Sequence, residues 1–216
     1  MYQLGISAAC AYVRKSLDEL TSVEDIGMLA SPDAIDLHKI VEASVIEAAV
    51  KVHERAPSLL MEGVFGTRGT AFDVALNADG SLTVTALKEA VRVLSVKASD
   101  SGIVVTDFIP EDSAEARKQL NEHVRGTYDD PRVILMKRWA GDNRPVFRYY
   151  SPKTGSVPDI EFEYVPYPVI EESIIEICPR LEFAVLNELT AMVLESINEF
   201  DKAALFRGRA EEYMKA

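Results

Sequence analysis

Cysteine is scarce in this chain: its 216 residues hold two, Cys10 and Cys178, with no Cys-x-x-Cys spacing. That excludes a disulfide-dense scaffold and a cysteine-rich zinc site. The expectation is two reduced thiols packed as small apolar groups, with a single bridge between the two chain ends as the alternative. Histidine is almost as rare. His38 and His53 lie far apart on one expected helix, His123 stands alone, and none has a second ligand at metal spacing, so no metal is expected. Positive charge is also short, with 23 Lys and Arg against 35 Asp and Glu and a net charge of −12. Tight nucleic-acid binding needs basic residues to neutralise phosphates, and this balance opposes it. No run of about 20 apolar residues is present to span a membrane. Ala8-Ala9-Cys10-Ala11 has no basic stretch before it, and Arg14 and Lys15 follow too closely for a secretory leader. A cytoplasmic start is expected.

Catalytic patterns are missing as well. No serine occupies Gly-x-Ser-x-Gly, and neither cysteine has a histidine in a recognised arrangement. Gly63, Gly66 and Gly69 recur every third residue but lack the Gly-Lys-Ser/Thr ending of a phosphate loop, so they read as a flexible connection. Asp129-Asp130 and Glu171-Glu172 are sequence neighbours whose side chains point apart, whereas acid–base work needs convergence. Ser16 and Ser44 read as helix-surface or cap residues. No catalytic, cofactor-binding or metal-ligating residue is assigned, and the chain is expected not to be an enzyme.

Hydrophobic residues make up 48% and charged residues 27% of the chain, an ordinary globular balance. The periodicity changes twice along it. Helical spacing runs over Leu4–Leu20 and again, after a Ser31-Pro32 start, to Arg55, where Leu37, Val41, Val45, Ala48 and Val52 share one face before Ala56-Pro57 stops the helix. Alternating strands follow: Phe72–Leu76 and Leu82–Leu87 around an Asp79-Gly80 hairpin signal, Ala90–Val96 with a slip at Leu94, Ile103–Ile109, Val133–Met136, Pro145–Tyr150 and Ile160–Val165. A short helix is expected from Asp112-Ser113 toward Gly126, and turns at Gly141-Asp142-Asn143 and Lys153-Thr154-Gly155. Pro166 and Pro168 close the strand region, and Pro179 precedes a last helical stretch. There Leu186, Leu189, Val193, Ile197 and Phe200 mark a face, and Asp201 is placed to cap a final helix through Ala203, Leu205, Phe206, Ala210 and Met214. The expected fold is α+β: residues 1–57 and 177–216 form a helical bundle, with an inserted antiparallel β domain over 58–176. One stretch mixes Arg132, Lys137, Arg138, Arg144 and Arg148 with Trp139, Phe147, Tyr149 and Tyr150. It reads as strands with one charged face, or as a binding surface for a single strand or a protein.

Three segments in order resemble the head-to-tail connector (adaptor) proteins of tailed bacteriophages, notably the ring proteins of crAss-like phages. They are Leu87–Val96; Ile109–Ala116 followed by Arg125-Gly126-Thr127 and Asp130-Pro131; and Arg180 through Leu186–Leu189 to Glu199–Ala203. The resemblance covers about two-thirds of the chain. It implies a virion structural protein at the head–tail junction, made in the host cytoplasm. It further implies a homo-oligomeric ring, typically a dodecamer, attached to the portal protein and to other tail or ring proteins. Such a ring extends the channel for genome ejection, and DNA passes through its lumen without specific binding. The alternative is a protein- or carbohydrate-binding module using the aromatic and basic β face. An enzyme built around His123 and carboxylates is the more distant rival.

Overall fold

The computed structural model describes residues 1–20, 37–66, 68–136, 143–150 and 157–215. The described chain forms two compact units, Met1–Glu62 with Pro168–Ala216, and Gly63–Tyr167. Helices occur near the N-terminus, in the middle and at the C-terminus, but among the described residues twelve strands in three sheets dominate the element count. This corrects the expected helical bundle with an inserted antiparallel β domain. The first unit holds a sheet of its own, and one pairing in the second unit is parallel.

In the first unit, β1 (Tyr2–Gly5) precedes α1 (Ile6–Leu20). The expected helix from Leu4 therefore begins as a strand. The reason is tertiary: Tyr2–Gly5 pairs antiparallel with Ile174–Ile177, a partner far along the chain that local periodicity cannot reveal. Helix α2 (Leu37–Arg55) buries Val41, Val45, Ala48 and Val52 of the stripe read from their spacing, while Leu37 at its start is half-buried. The Ser31-Pro32 start lies outside the described residues. Ala56 N–H still bonds Val52 O before Pro57 ends the helix.

The second unit is two packed sheets. One runs in the order β2 (Val64–Gly66), β10 (Ile160–Pro166), β5 (Ala90–Ala98), β6 (Val104–Val105). The other runs β3 (Phe72–Leu76), β4 (Leu82–Ala86), β9 (Val146–Tyr150), β8 (Arg132–Met136), β7 (Phe108–Pro110). Both contribute to one apolar core through Phe72, Val84, Phe147 and Tyr149 on one side and Val96, Phe162 and Tyr164 on the other. Phe162 sits at its centre, edge-on to Phe72 at 5.2 Å and stacked on Tyr164 at 4.8 Å. Gly66 lets β2 approach Phe162: a Cβ there would stand 2.8 Å from Phe162 Cε1 and from Ala71 Cβ.

The β3–β4 hairpin closes at Asp79-Gly80. Gly80 takes φ +80°, and Asp79 Oδ1 accepts from Ser81 N–H at 3.0 Å and from Ser81 Oγ at 2.6 Å. The slip at Leu94 is a β-bulge: Glu163 pairs with Ser95 and Tyr164 with Val93, so Leu94 is the extra residue and stays buried beside Val93. The single strand expected over Ile103–Ile109 is instead β6 and β7, which belong to different sheets, and β7 pairs in parallel with β8. Helix α3 (Ala114–Lys118) is capped by Ser113 Oγ accepting from Ala116 N–H at 3.1 Å, and it is only five residues long. The Gly63, Gly66, Gly69 stretch, read as a flexible connection, contains strand β2, and a 3₁₀ turn at Ser58–Leu60 precedes it.

Past Pro168 the first unit resumes with two strands that the sequence reading lacked, β11 (Ile170–Glu171) and β12 (Ile174–Ile177). Their two-residue turn puts Glu172 and Ser173 at φ 50° and 63°. Helices α4 (Glu182–Ser196) and α5 (Phe200–Tyr213) follow, separated at Asn198 with φ 63°. Asp201 does not cap α5. Glu199 holds the cap position, and no side chain bonds there. The α5 face is Ala203, Phe206, Ala210 and Met214, with Leu205 exposed.

Candidate functional site

Helix α4 is buried along almost its whole length, from Ala184 to Leu194 apart from Met192. Such a helix should be apolar all round, yet Asn187, Glu188 and Thr190 lie in its buried stretch. Thr190 Oγ donates to Leu186 O at 2.8 Å, which satisfies it locally. Glu188 is met from two other helices. Arg55 of α2 donates Nη2–H to its Oε2 at 2.6 Å, and Arg207 Nε of α5 lies 3.5 Å from its Oε1. Arg207 also grips Glu195 with both terminal nitrogens, at 2.5 and 2.6 Å. The hydrogen bond to Glu195 raises the Arg207 pKa further, so it stays charged. Two guanidiniums thus face two carboxylates, and three helices are fixed by one neutral cluster. The Glu188 side chain is 2% exposed, while those of Arg55 and Arg207 reach solvent.

Near the N-terminal end of α4 the surface is aromatic. Phe183 stacks on Tyr213 of α5 at 5.5 Å and tilts against Tyr12 of α1 at 6.5 Å. Beside it, Tyr2 of β1 donates its hydroxyl to Glu182 Oε1 at 2.9 Å. Phe183 is 49% and Tyr213 50% exposed, and Tyr2 is exposed as well. Asn187 fixes the floor of this surface by donating Nδ2–H to Phe183 O at 2.7 Å and to Tyr12 OH at 3.1 Å. Large aromatic groups left in water carry a hydration cost that association removes. Phe200 and Leu205 add further exposed apolar surface on α5. This patch, built from β1, α1, α4 and α5, is the candidate functional surface. Sequence reasoning missed it because Phe183 fell on no predicted face. The one available signal was Glu182-Phe183 directly after the Pro179 break.

The residues singled out in the sequence fall elsewhere. His38 is exposed beside Glu42, and His123 is exposed beside Glu122. His53 is buried: its Nδ1 is 2.6 Å from Ala49 O, and its Nε2 accepts from Cys178 N–H at 3.2 Å. Burial lowers its pKa. Neither Cys10 nor Cys178 is in a disulfide, and burial raises the Cys178 pKa. Ser16 is buried rather than on the surface, and Ser44 is half-buried. Asp130 pairs with Arg132 at 2.7 Å in a tight turn closed by Thr127, while Glu172 lies in the β11–β12 turn. The described rings of the basic and aromatic stretch are not presented: Phe147 and Tyr149 join the sandwich core, and Tyr150 is buried on the opposite sheet face. Lys137, Arg138 and Trp139 lie outside the described residues.

Among the described residues no group of three His, Cys, Asp or Glu side chains converges as a metal set. No described helix is long and apolar enough to cross a membrane. The sequence matches no family model and no curated protein.

Proposed function

We propose that this chain is a virion structural protein, a head-to-tail connector subunit that forms a ring on a portal and carries the DNA channel toward the tail. Its role is architectural and not enzymatic. The observation that carries the reading is the exposed aromatic patch of Tyr2, Phe183 and Tyr213, rigidly based on a charge-locked helix trio. A closed ring of identical subunits needs one such patch to meet a different patch on the next copy, because its contacts are heterologous. Aromatic side chains are the residues that anchor such contacts. The net charge of −12 supports the same reading: a negatively charged lumen lets DNA slide without adhering. The ordered resemblance of Leu87–Val96, Ile109–Ala116 and Arg180–Ala203 to phage connectors supplies the specific class. The binding-module alternative drew on Trp139, Tyr149 and Tyr150; Tyr149 and Tyr150 are buried, which weakens it, and Trp139 lies outside the described residues.

Native mass spectrometry of the full chain mixed with its portal protein tests the proposal. A closed oligomer bound to portal is expected, weakened when Phe183→Ser and Tyr213→Ser are combined. A chain that remains monomeric with portal present contradicts it.

A further inference from the structure

The outer face of the five-stranded sheet, opposite the sandwich core, carries a second site. Alternation along β9 sends Phe147 and Tyr149 into the core and Arg148 and Tyr150 to this face. There α3 and the turn after it cover β8 and β9 and leave a cavity of about 220 Å³. Its walls are of two kinds. Ala116, Leu120, Ile134 and Met136 are apolar, while Arg117, Arg148 and Tyr150 are donors, with Glu111 also on the lining.

Two of these donor groups are unmet. Tyr150 is 1% exposed, and its hydroxyl has no hydrogen-bond partner among the described residues; the same holds for the buried Nε–H of Arg148. Buried donors without partners are uncommon in folded proteins, because each forfeits its hydration with nothing in return. Two of them on the lining of one cavity point to an absent acceptor. Two guanidiniums against one carboxylate favour an anion, and a guanidinium edge matches a carboxylate's two oxygens. The apolar walls favour an aliphatic stem behind that group. The Asp79 carboxylate, whose pKa is lowered first by its hydrogen bond to Ser81, is also lowered by the charges of Arg148 and Arg125.

We infer that this cavity binds an aliphatic carboxylate, with Arg148 and Tyr150 taking the carboxylate and Leu120, Ile134 and Met136 the stem. The carboxylate comes either from a free small acid or from an acidic side chain of another copy of this chain. The assignment goes beyond the connector reading and does not depend on it.

The test uses hexanoate as probe on the full-length chain, followed by NMR of the Ala116, Ile134 and Met136 methyl groups. Saturable shifts are expected, and hexanamide, which has the same stem without the charge, should bind at least about tenfold more weakly. Tyr150→Phe removes only an unpartnered hydroxyl, so its melting temperature should match or exceed that of the parent while hexanoate affinity falls about tenfold. Arg148→Gln should lose more. Sedimentation velocity separates the sources. If the natural carboxylate belongs to another copy, the chain self-associates and Tyr150→Phe and hexanoate each weaken that association; if it is a free acid, the sedimentation coefficient is unchanged by either. Absence of saturable shifts with hexanoate, equal binding of hexanamide, or unchanged affinity in both variants overturns the inference.

Discussion

Removing Arg55 should cost more than removing the acid it serves. In Arg55→Met the Glu188 carboxylate, 2% exposed, keeps only the 3.5 Å contact to Arg207. Breaking a buried pair from one side typically costs about 3–5 kcal/mol because a charge is left uncompensated. The Arg55 side chain is 41% exposed, so solvent screening lowers its share, and about 2–3 kcal/mol is expected. Glu188→Gln leaves two arginines that can turn to water, and the amide can still accept from Arg55, so about 1 kcal/mol is expected. In the double variant the buried charge is gone, and its cost should fall short of the sum of the singles by about 1–2 kcal/mol. Urea unfolding followed by circular dichroism at 222 nm is the assay, since the four described helices longer than five residues belong to the first unit. Arg55→Met should also lower the melting temperature by roughly 10 °C for a unit of this size. Additive costs, or a larger loss for Glu188→Gln than for Arg55→Met, refute the account of Glu188 as a charge held from both sides.

Further outcomes are expected. His53 is neutral in the fold, donating from Nδ1 to Ala49 O and accepting at Nε2, and its pKa lies below the ordinary 6.5. The unfolded chain therefore takes up the proton first, so His53's contribution is complete above pH 6.5 and is lost as pH falls from there toward the folded value. Melting curves of the parent and His53→Gln across this range should converge at the acid end; a constant gap contradicts the assignment. The β11–β12 turn forces Glu172 and Ser173 to positive φ, so Glu172→Asn with Ser173→Gly should stabilise the chain by about 1 kcal/mol in urea. Gly66→Ala places a methyl 2.8 Å from Phe162 and Ala71, and overpacking of about 1–3 kcal/mol should appear as a lower thermal midpoint.

Elements that declare themselves over a few neighbouring residues were legible. The Val41, Val45, Ala48, Val52 stripe needs only its own helix, and Asp79-Gly80 needs only its own hairpin. Even the Leu94 bulge showed as a break in alternation. What failed depends on distant partners. Tyr2–Gly5 reads as the start of a helix until Ile174–Ile177 pairs with it, and two-residue strands such as β6 and β11 carry no period. The bundle expectation failed on those strands and on the parallel pairing of β7 with β8. At the candidate surface, Glu188 looks like an ordinary polar helix residue. Its partner Arg55 lies 133 residues earlier, and no local pattern joins them. The aromatic and basic residues of β9 were noticed, but alternation alone does not tell which sheet face is covered. The structure covers both.

The most direct measurement is electron cryomicroscopy of the head–tail junction in intact particles. A ring of this chain directly beneath the portal is expected, with Phe183 and Tyr213 buried against the adjacent subunit. Particles lacking the chain, or a ring in which both rings of that aromatic pair face solvent, would contradict it.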